Sequence, residues 1–146
     1  MKKIIAVASE GGHWKQLSLL SEFFCQYETH YVTTNKGITL ENYSLHYIND
    51  ANKDNKLALL KLFFNAFILF RKIMPDTVIT TGAAPGLAML IMAKFHGKKG
   101  IWIDSIANAE ELSLSGKLAK RFATITLSQW ESVAAKEGVV YKGSLL

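Results

Sequence analysis

Four stretches of this chain combine residue types and spacings that can do chemistry. The first is Ser9-Glu10-Gly11-Gly12-His13, which follows the apolar run Ile4-Ile5-Ala6-Val7-Ala8. A strand, a glycine turn and a helix in that order aim free backbone N–H groups at one point, which suits a phosphate or another anion. At the mouth of such a turn, a neutral His13 imidazole can serve as general base toward a hydroxyl. The second stretch, Thr80-Thr81-Gly82-Ala83-Ala84-Pro85-Gly86, repeats the pattern, with proline near the first helical turn and small residues ahead of it. The third is Asp104-Ser105 at a strand end, followed by Leu112-Ser113-Leu114-Ser115-Gly116-Lys117. Asp104 is the second candidate base. The candidate substrate-binding residues are Ser9, Gly11, Gly12, Thr81, Gly82, Pro85, Gly86, Ser105, Ser115 and Gly116. Each stretch also has a structural reading. A glycine turn lets a helix lie close on a strand, and serines ahead of a helix cap it.

The fourth stretch is the long helix expected over 56–74, whose polar stripe is narrow. It reads either as a buried crossover helix or as a half-exposed one. In the second case Phe63, Phe67 and Phe70, with Arg71 and Lys72, would dip into an anionic bilayer surface. Several chemistries have no support. The fingerprints G-x-G-x-x-G and G-x-x-x-x-G-K-[ST] are absent, as is a serine nucleophile elbow. The four His are scattered around a single Cys, so no metal or cofactor is expected.

The elements that must position these groups alternate. Strands are expected over 4–8, 29–34, 44–49, 76–81, 101–104, 124–127 and 139–141, and helices over 13–24, 56–74, 87–95, 117–122 and 129–136. Pro75 stops the long helix. Such alternation predicts an α/β fold, Rossmann-like, with a parallel sheet and helices on both faces. In a doubly wound order 3-2-1-4-5, the two glycine turns flank the point where winding reverses. Ligands bind there, outside the carboxyl ends of the strands.

A chain of 146 residues with 49% apolar residues makes one domain with a real core. Its net charge of +5 favours an anionic partner. Nucleic acid is not that partner, because the aromatics fall at core-like positions. Cys25, the lone cysteine, suits a reducing compartment. The apolar run 4–8 is too short for a signal peptide, and no run reaches a spanning length, so a cytoplasmic location is expected.

Taken in order, Ser9-x-Gly-Gly-His13, Thr81-Gly82-x-x-Pro85-Gly86, Asp104-Ser105 with Leu112-Ser-Leu-Ser-Gly-Lys117, and Gln129-Trp130 closing with Tyr141-x-Gly143 carry a resemblance. The chain resembles the acceptor-side, membrane-associated subunit of the two-chain N-acetylglucosaminyltransferase of dolichol-linked oligosaccharide synthesis. It looks closer still to bacterial relatives that serve capsule and exopolysaccharide assembly, and it is similar to the N-terminal half of MurG. The resemblance implies a single acceptor-side half of a GT-B fold over 1–146. It also implies a donor-binding partner chain, a polyprenyl-diphosphate-linked saccharide as acceptor, and a peripheral place on the inner face of the plasma membrane. Two departures stand out. Relatives often show Glu-Ser-x-x-Arg where this chain has Asp104-Ser105-Ile106-Ala107-Asn108, and they follow Gln-Trp with Pro where it has Glu131. Eukaryotic members carry an N-terminal anchor that this sequence does not show, which is expected to shift the membrane burden to the 56–74 helix. The alternatives are a non-catalytic scaffold or enhancer of a complete transferase, and a soluble nucleotide-binding regulator.

Overall fold

The computed structural model describes all 146 residues. Seven strands form one sheet in which every pairing is parallel: β1 (Lys3–Ala8), β2 (Glu28–Thr33), β3 (Ser44–Tyr47), β4 (Thr77–Gly82), β5 (Lys99–Ile103), β6 (Ile125–Ser128) and β7 (Val140–Tyr141). Their order is β3-β2-β1-β4-β5-β6-β7, the expected doubly wound arrangement extended by two strands. The central strand β1 is apolar at nearly every position because both of its faces are covered. Ile5 and Val7 enter one core with the helices α3 (Lys56–Ile73) and α4 (Ala84–Phe95). Ile4, Ala6 and Ala8 enter a second core with α1 (Gly12–Ser18) and α2 (Ser21–Phe24). The helices α5 (Leu114–Ala119) and α6 (Glu131–Glu137) complete the cover.

Several boundaries differ from the sequence reading. The helix expected over 13–24 is two helices, because Leu19 and Leu20 bond back to Gln16 and Leu17 with the tighter i−3 spacing. Helix α4 starts three residues earlier than expected and takes Pro85 and Gly86 into its first turn. Helix α5 also starts early, because the Ser113 hydroxyl accepts from Gly116 N at 2.9 Å and caps it.

The long helix α3 is capped by Asn55, whose side chain accepts from Ala58 N at 3.0 Å. It ends at Met74, whose left-handed backbone bonds back to Phe70 O just ahead of Pro75. Leu62, Ala66, Phe70 and Ile73 form its core face. At the complementary spacing, Leu57, Leu60, Phe64, Phe67 and Ile68 are exposed beside Lys61, Arg71 and Lys72. The sequence reading of this face needs correcting. Phe70 is wholly buried and so is not a membrane-facing ring, and Phe63 is half-buried against the core, whereas Phe67, Arg71 and Lys72 are exposed. No helix is long and apolar enough to cross a membrane.

On β2 and β3 two of the scattered histidines meet. His30 Nδ1 lies 3.2 Å from His46 Nε2, and His30 Nε2 lies 3.3 Å from Glu28 Oε1, which also pairs with Lys3. Burial, then His30 and Lys72, hold His46 below its ordinary pKa of 6.5. The unfolded chain therefore takes up this proton first. The stability carried by neutral His46 is complete above pH 6.5 and is lost as pH falls through the lower folded value. Urea unfolding at pH 7 and pH 5 should show a smaller loss of stability for His46→Gln than for the unsubstituted chain. Equal losses would place the acid sensitivity elsewhere.

Candidate functional site

The site forms where the turns after β1 and β4 lock together at the carboxyl edge of the sheet. Ser9 N donates to Gly82 O at 2.9 Å, and Ser9 Oγ accepts from Ala83 N at 2.9 Å. The register between β1 and β4 slips here. Val7 faces Thr80 and Ala8 faces Gly82, leaving Thr81 as an extra residue. Such a bulge re-aims what it carries. Thr81 Oγ1 donates to His13 O at 2.6 Å, and Thr81 O lies 2.8 Å from His13 Nδ1. A carbonyl oxygen can only accept, so Nδ1 carries the proton. In the neutral ring Nε2 then keeps its lone pair. That is the nitrogen a general base would use.

Gly82 makes room for this ring. Its φ is +114°, and a Cβ there would stand 2.8 Å from His13 Nδ1. Gly11 and Gly12, just ahead of His13, are exposed, with open space around them, and no side chain caps the helix that follows. The two turns, alike in sequence, are therefore different in structure. The first presents backbone to solvent beside His13, while the second is a packing turn. Thr81, Gly82, Pro85 and Gly86 are buried, as is Ser9, and Ala83 N is already taken by Ser9. A Cβ at Gly86 would land on the Thr80 hydroxyl, which accounts for glycine there. These five residues shape the site and present no ligand surface of their own, which corrects their assignment as substrate-binding.

Asp104 is likewise corrected from candidate base to structural hub. It is 2% exposed, and its carboxylate accepts four hydrogen bonds. Oδ1 takes Trp102 Nε1 (2.9 Å) and Ser113 Oγ (2.7 Å), while Oδ2 takes Ser113 N (3.0 Å) and Asn108 Nδ2 (3.2 Å). No acceptor position is left for a substrate hydroxyl. Gly116, buried against this carboxylate, is a packing residue, since a Cβ there would meet Asp104 Oδ1 at 2.5 Å. Asn108, which stands where the resemblance leads one to expect Arg, reaches back to the acid at 104. Outside the hub, Lys117 bonds Glu111 at 2.6 Å, which holds the Glu111 carboxyl below and the Lys117 ammonium above their usual ranges.

Ser105 and Ser115 remain half-buried. The Ser105 hydroxyl is already bonded to Gln16 Nε2 and Ala107 N. The accessible face of the site thus consists of Gly11, Gly12, the His13 ring and the 105–108 loop. Sequence reasoning missed Gln16 and the Thr81 bulge. No motif marks either one, because a glutamine on a helix and one extra residue in a strand look ordinary without their partners.

No family model matches the chain. Over 82 residues it is 35% identical to the UDP-N-acetylglucosamine transferase subunit alg14 of Schizosaccharomyces pombe, a match covering 51% of this chain and 36% of that protein. Among solved structures, the fold resembles MurG of Acinetobacter baumannii, with a TM-score of 0.70 and 16% identity over 91% of this chain and 43% of that one. It resembles the UDP-N-acetylglucosamine 2-epimerase of Rickettsia bellii, with a TM-score of 0.76 and 15% identity over 99% and 45%. It also resembles the lipopolysaccharide outer core galactosyltransferase WaaB, with a TM-score of 0.66 and 14% identity over 96% and 43%. The chain spans 36% of the length of the curated relative and under half of each of these structures. The resemblance to the N-acetylglucosaminyltransferase subunit and to one half of MurG is borne out, and the fold is that of one half of a GT-B protein.

Proposed function

We propose that this chain is the acceptor-side subunit of a two-chain, inverting GT-B glycosyltransferase of polysaccharide biosynthesis, serving a capsule or exopolysaccharide. It works peripherally on the inner face of the plasma membrane. There it holds a polyprenyl-diphosphate-linked saccharide so that a sugar hydroxyl attacks the anomeric carbon of a nucleotide sugar bound by a partner chain, breaking the sugar–phosphate bond and releasing the nucleotide. The open amides of Gly11 and Gly12 face the diphosphate, and His13 Nε2 takes the proton from the attacking hydroxyl. The exposed face of α3 rests on anionic lipid.

The observation that carries this reading is the half GT-B fold, whose open carboxyl edge sets a lone-pair nitrogen beside an uncapped glycine turn. Likeness to a protein named as a transferase subunit supports it. A GT-B active site lies between two halves, so the purified chain alone should not turn over. Transfer from a radiolabelled nucleotide sugar to a lipid-linked acceptor should appear when a donor-binding chain is added. Turnover by the single chain, with contaminating transferase excluded, would sink the two-chain reading. A partner equally active without this chain would point instead to a scaffold.

A further inference from the structure

Gln129 belongs to the Gln129-Trp130 motif, and nothing in the proposed chemistry uses it. It is buried at the end of β6, and every polar atom of its amide is engaged. Its Oε1 accepts from Leu145 N at 2.9 Å, while Nε2 donates to Gln16 Oε1 at 2.6 Å and to Asp104 O at 2.9 Å. Gln16 is buried too. Its Oε1 also accepts from Ile106 N at 3.1 Å, and its Nε2 donates to Ser105 Oγ at 3.1 Å. Backbone groups fix both amides. Ile106 N and Leu145 N can only donate and Asp104 O can only accept, so neither side chain can flip without losing a bond. Trp130 adds a further tie, donating from Nε1 to Ile106 O at 2.7 Å.

The consequence is geometric. Gln16 lies three residues beyond His13 on α1, a seven-residue helix. That helix is fixed at two points. At His13 it is held by the Thr81 bulge of β4, and at Gln16 by Gln129 at the end of β6. Gln16 itself holds Ser105 and Ile106, and Gln129 holds both Gln16 and Asp104 O at the start of that loop. The His13 helix and the 105–108 loop are thus tied to each other through these two buried amides. We infer that Gln129 and Gln16 are a positioning pair that sets the His13 helix and the 105–108 loop in register with each other. This rests on the functional reading above for its effect on turnover, but not for its effect on geometry.

The test substitutes Gln129→Met and Gln16→Met, singly and together, which keeps volume and removes the polar contacts. In the single chain, NMR of the His13 ring and hydrogen exchange at Ile106 N and Leu145 N report the geometry directly. The expected result for Gln129→Met is a folded chain with a displaced His13 ring signal and at least tenfold faster exchange at both amides. In the reconstituted pair, kcat should fall about 10- to 100-fold with KM changed less than threefold, since a misplacement of about 1 Å costs up to about 10²-fold. The double variant should lose no more than the worse single one, as residues acting as a unit do. Folded single variants that leave the His13 signal and Ile106 exchange unchanged would overturn the inference, even if they melt earlier. So would additive losses in the double variant. If Gln129→Met does not fold, Gln16→Met carries the same NMR test. A displaced His13 signal in a chain that no donor subunit activates would support the positioning pair while removing the transferase reading.

Discussion

Replacing His13 with Ala is expected to lower kcat of the reconstituted pair by about 10²- to 10⁴-fold, the usual contribution of a positioned general base. The tautomer names the nitrogen that would act: Thr81 O, 2.8 Å from Nδ1, accepts a hydrogen bond from the proton carried there, and in the neutral ring Nε2 keeps its lone pair. The donor subunit is expected still to bind. His13→Asn separates chemistry from architecture, since its amide can donate toward Thr81 O yet takes no proton near neutral pH. Near-normal turnover of His13→Asn would make His13 structural. The base would then lie on the partner chain, because the four hydrogen bonds to Asp104 leave that carboxylate no capacity to serve.

The second large effect belongs to the exposed face of α3. Phe64 and Phe67 are 64% and 46% exposed on the same side as Leu57, Leu60 and Ile68, flanked by Lys61, Arg71 and Lys72. Apolar rings and basic residues on one helix face suit an anionic bilayer surface. Each basic residue near such a surface contributes about 1 kcal/mol, and the contribution weakens with salt. Fully burying a Phe side chain contributes about 1.5–3 kcal/mol, so losing two rings that insert only in part should weaken binding on the order of 10²-fold. Phe64→Ser with Phe67→Ser should therefore release the chain from vesicles containing phosphatidylglycerol, with its unfolding transition little changed. Phe70→Ser is the contrast. That ring is wholly buried, and its loss should cost about 3–5 kcal/mol of stability. Unchanged vesicle binding by the folded double variant would remove α3 from the membrane contact.

The architecture was legible because it rests on periodicity. Alternating strands and helices, a β1 apolar on both faces and Pro75 after a long helix lead directly to a doubly wound parallel sheet. What was not legible depends on who stands opposite whom. The two glycine turns look alike in sequence, yet only the first is open. The second is filled by the Thr80 hydroxyl against Gly86 and by His13 against Gly82, contacts made across roughly six to seventy residues of chain. Periodicity defined two faces on α3 without saying which Phe lay on each, so Phe63 and Phe70 were placed outward, whereas the core takes Phe70 wholly and Phe63 in part. Asp104 at a strand end suggested a second candidate for the general base. Its real partners, Trp102, Asn108 and Ser113, are near in sequence, but nothing in their spacing shows that all converge on one carboxylate. Gln16 and Gln129 are separated by 113 positions, a pairing that only the fold brings about.

The most direct measurement is a titration of the isotopically labelled chain with a water-soluble, short-chain polyprenyl-diphosphate-linked saccharide, followed by amide and imidazole NMR. The expected result is saturable shifts at the Gly11, Gly12 and His13 amides and at the His13 ring, with a nucleotide sugar producing none of them in the absence of a partner chain. Shifts at those positions from the nucleotide sugar and not from the lipid-linked diphosphate would contradict the acceptor-side assignment.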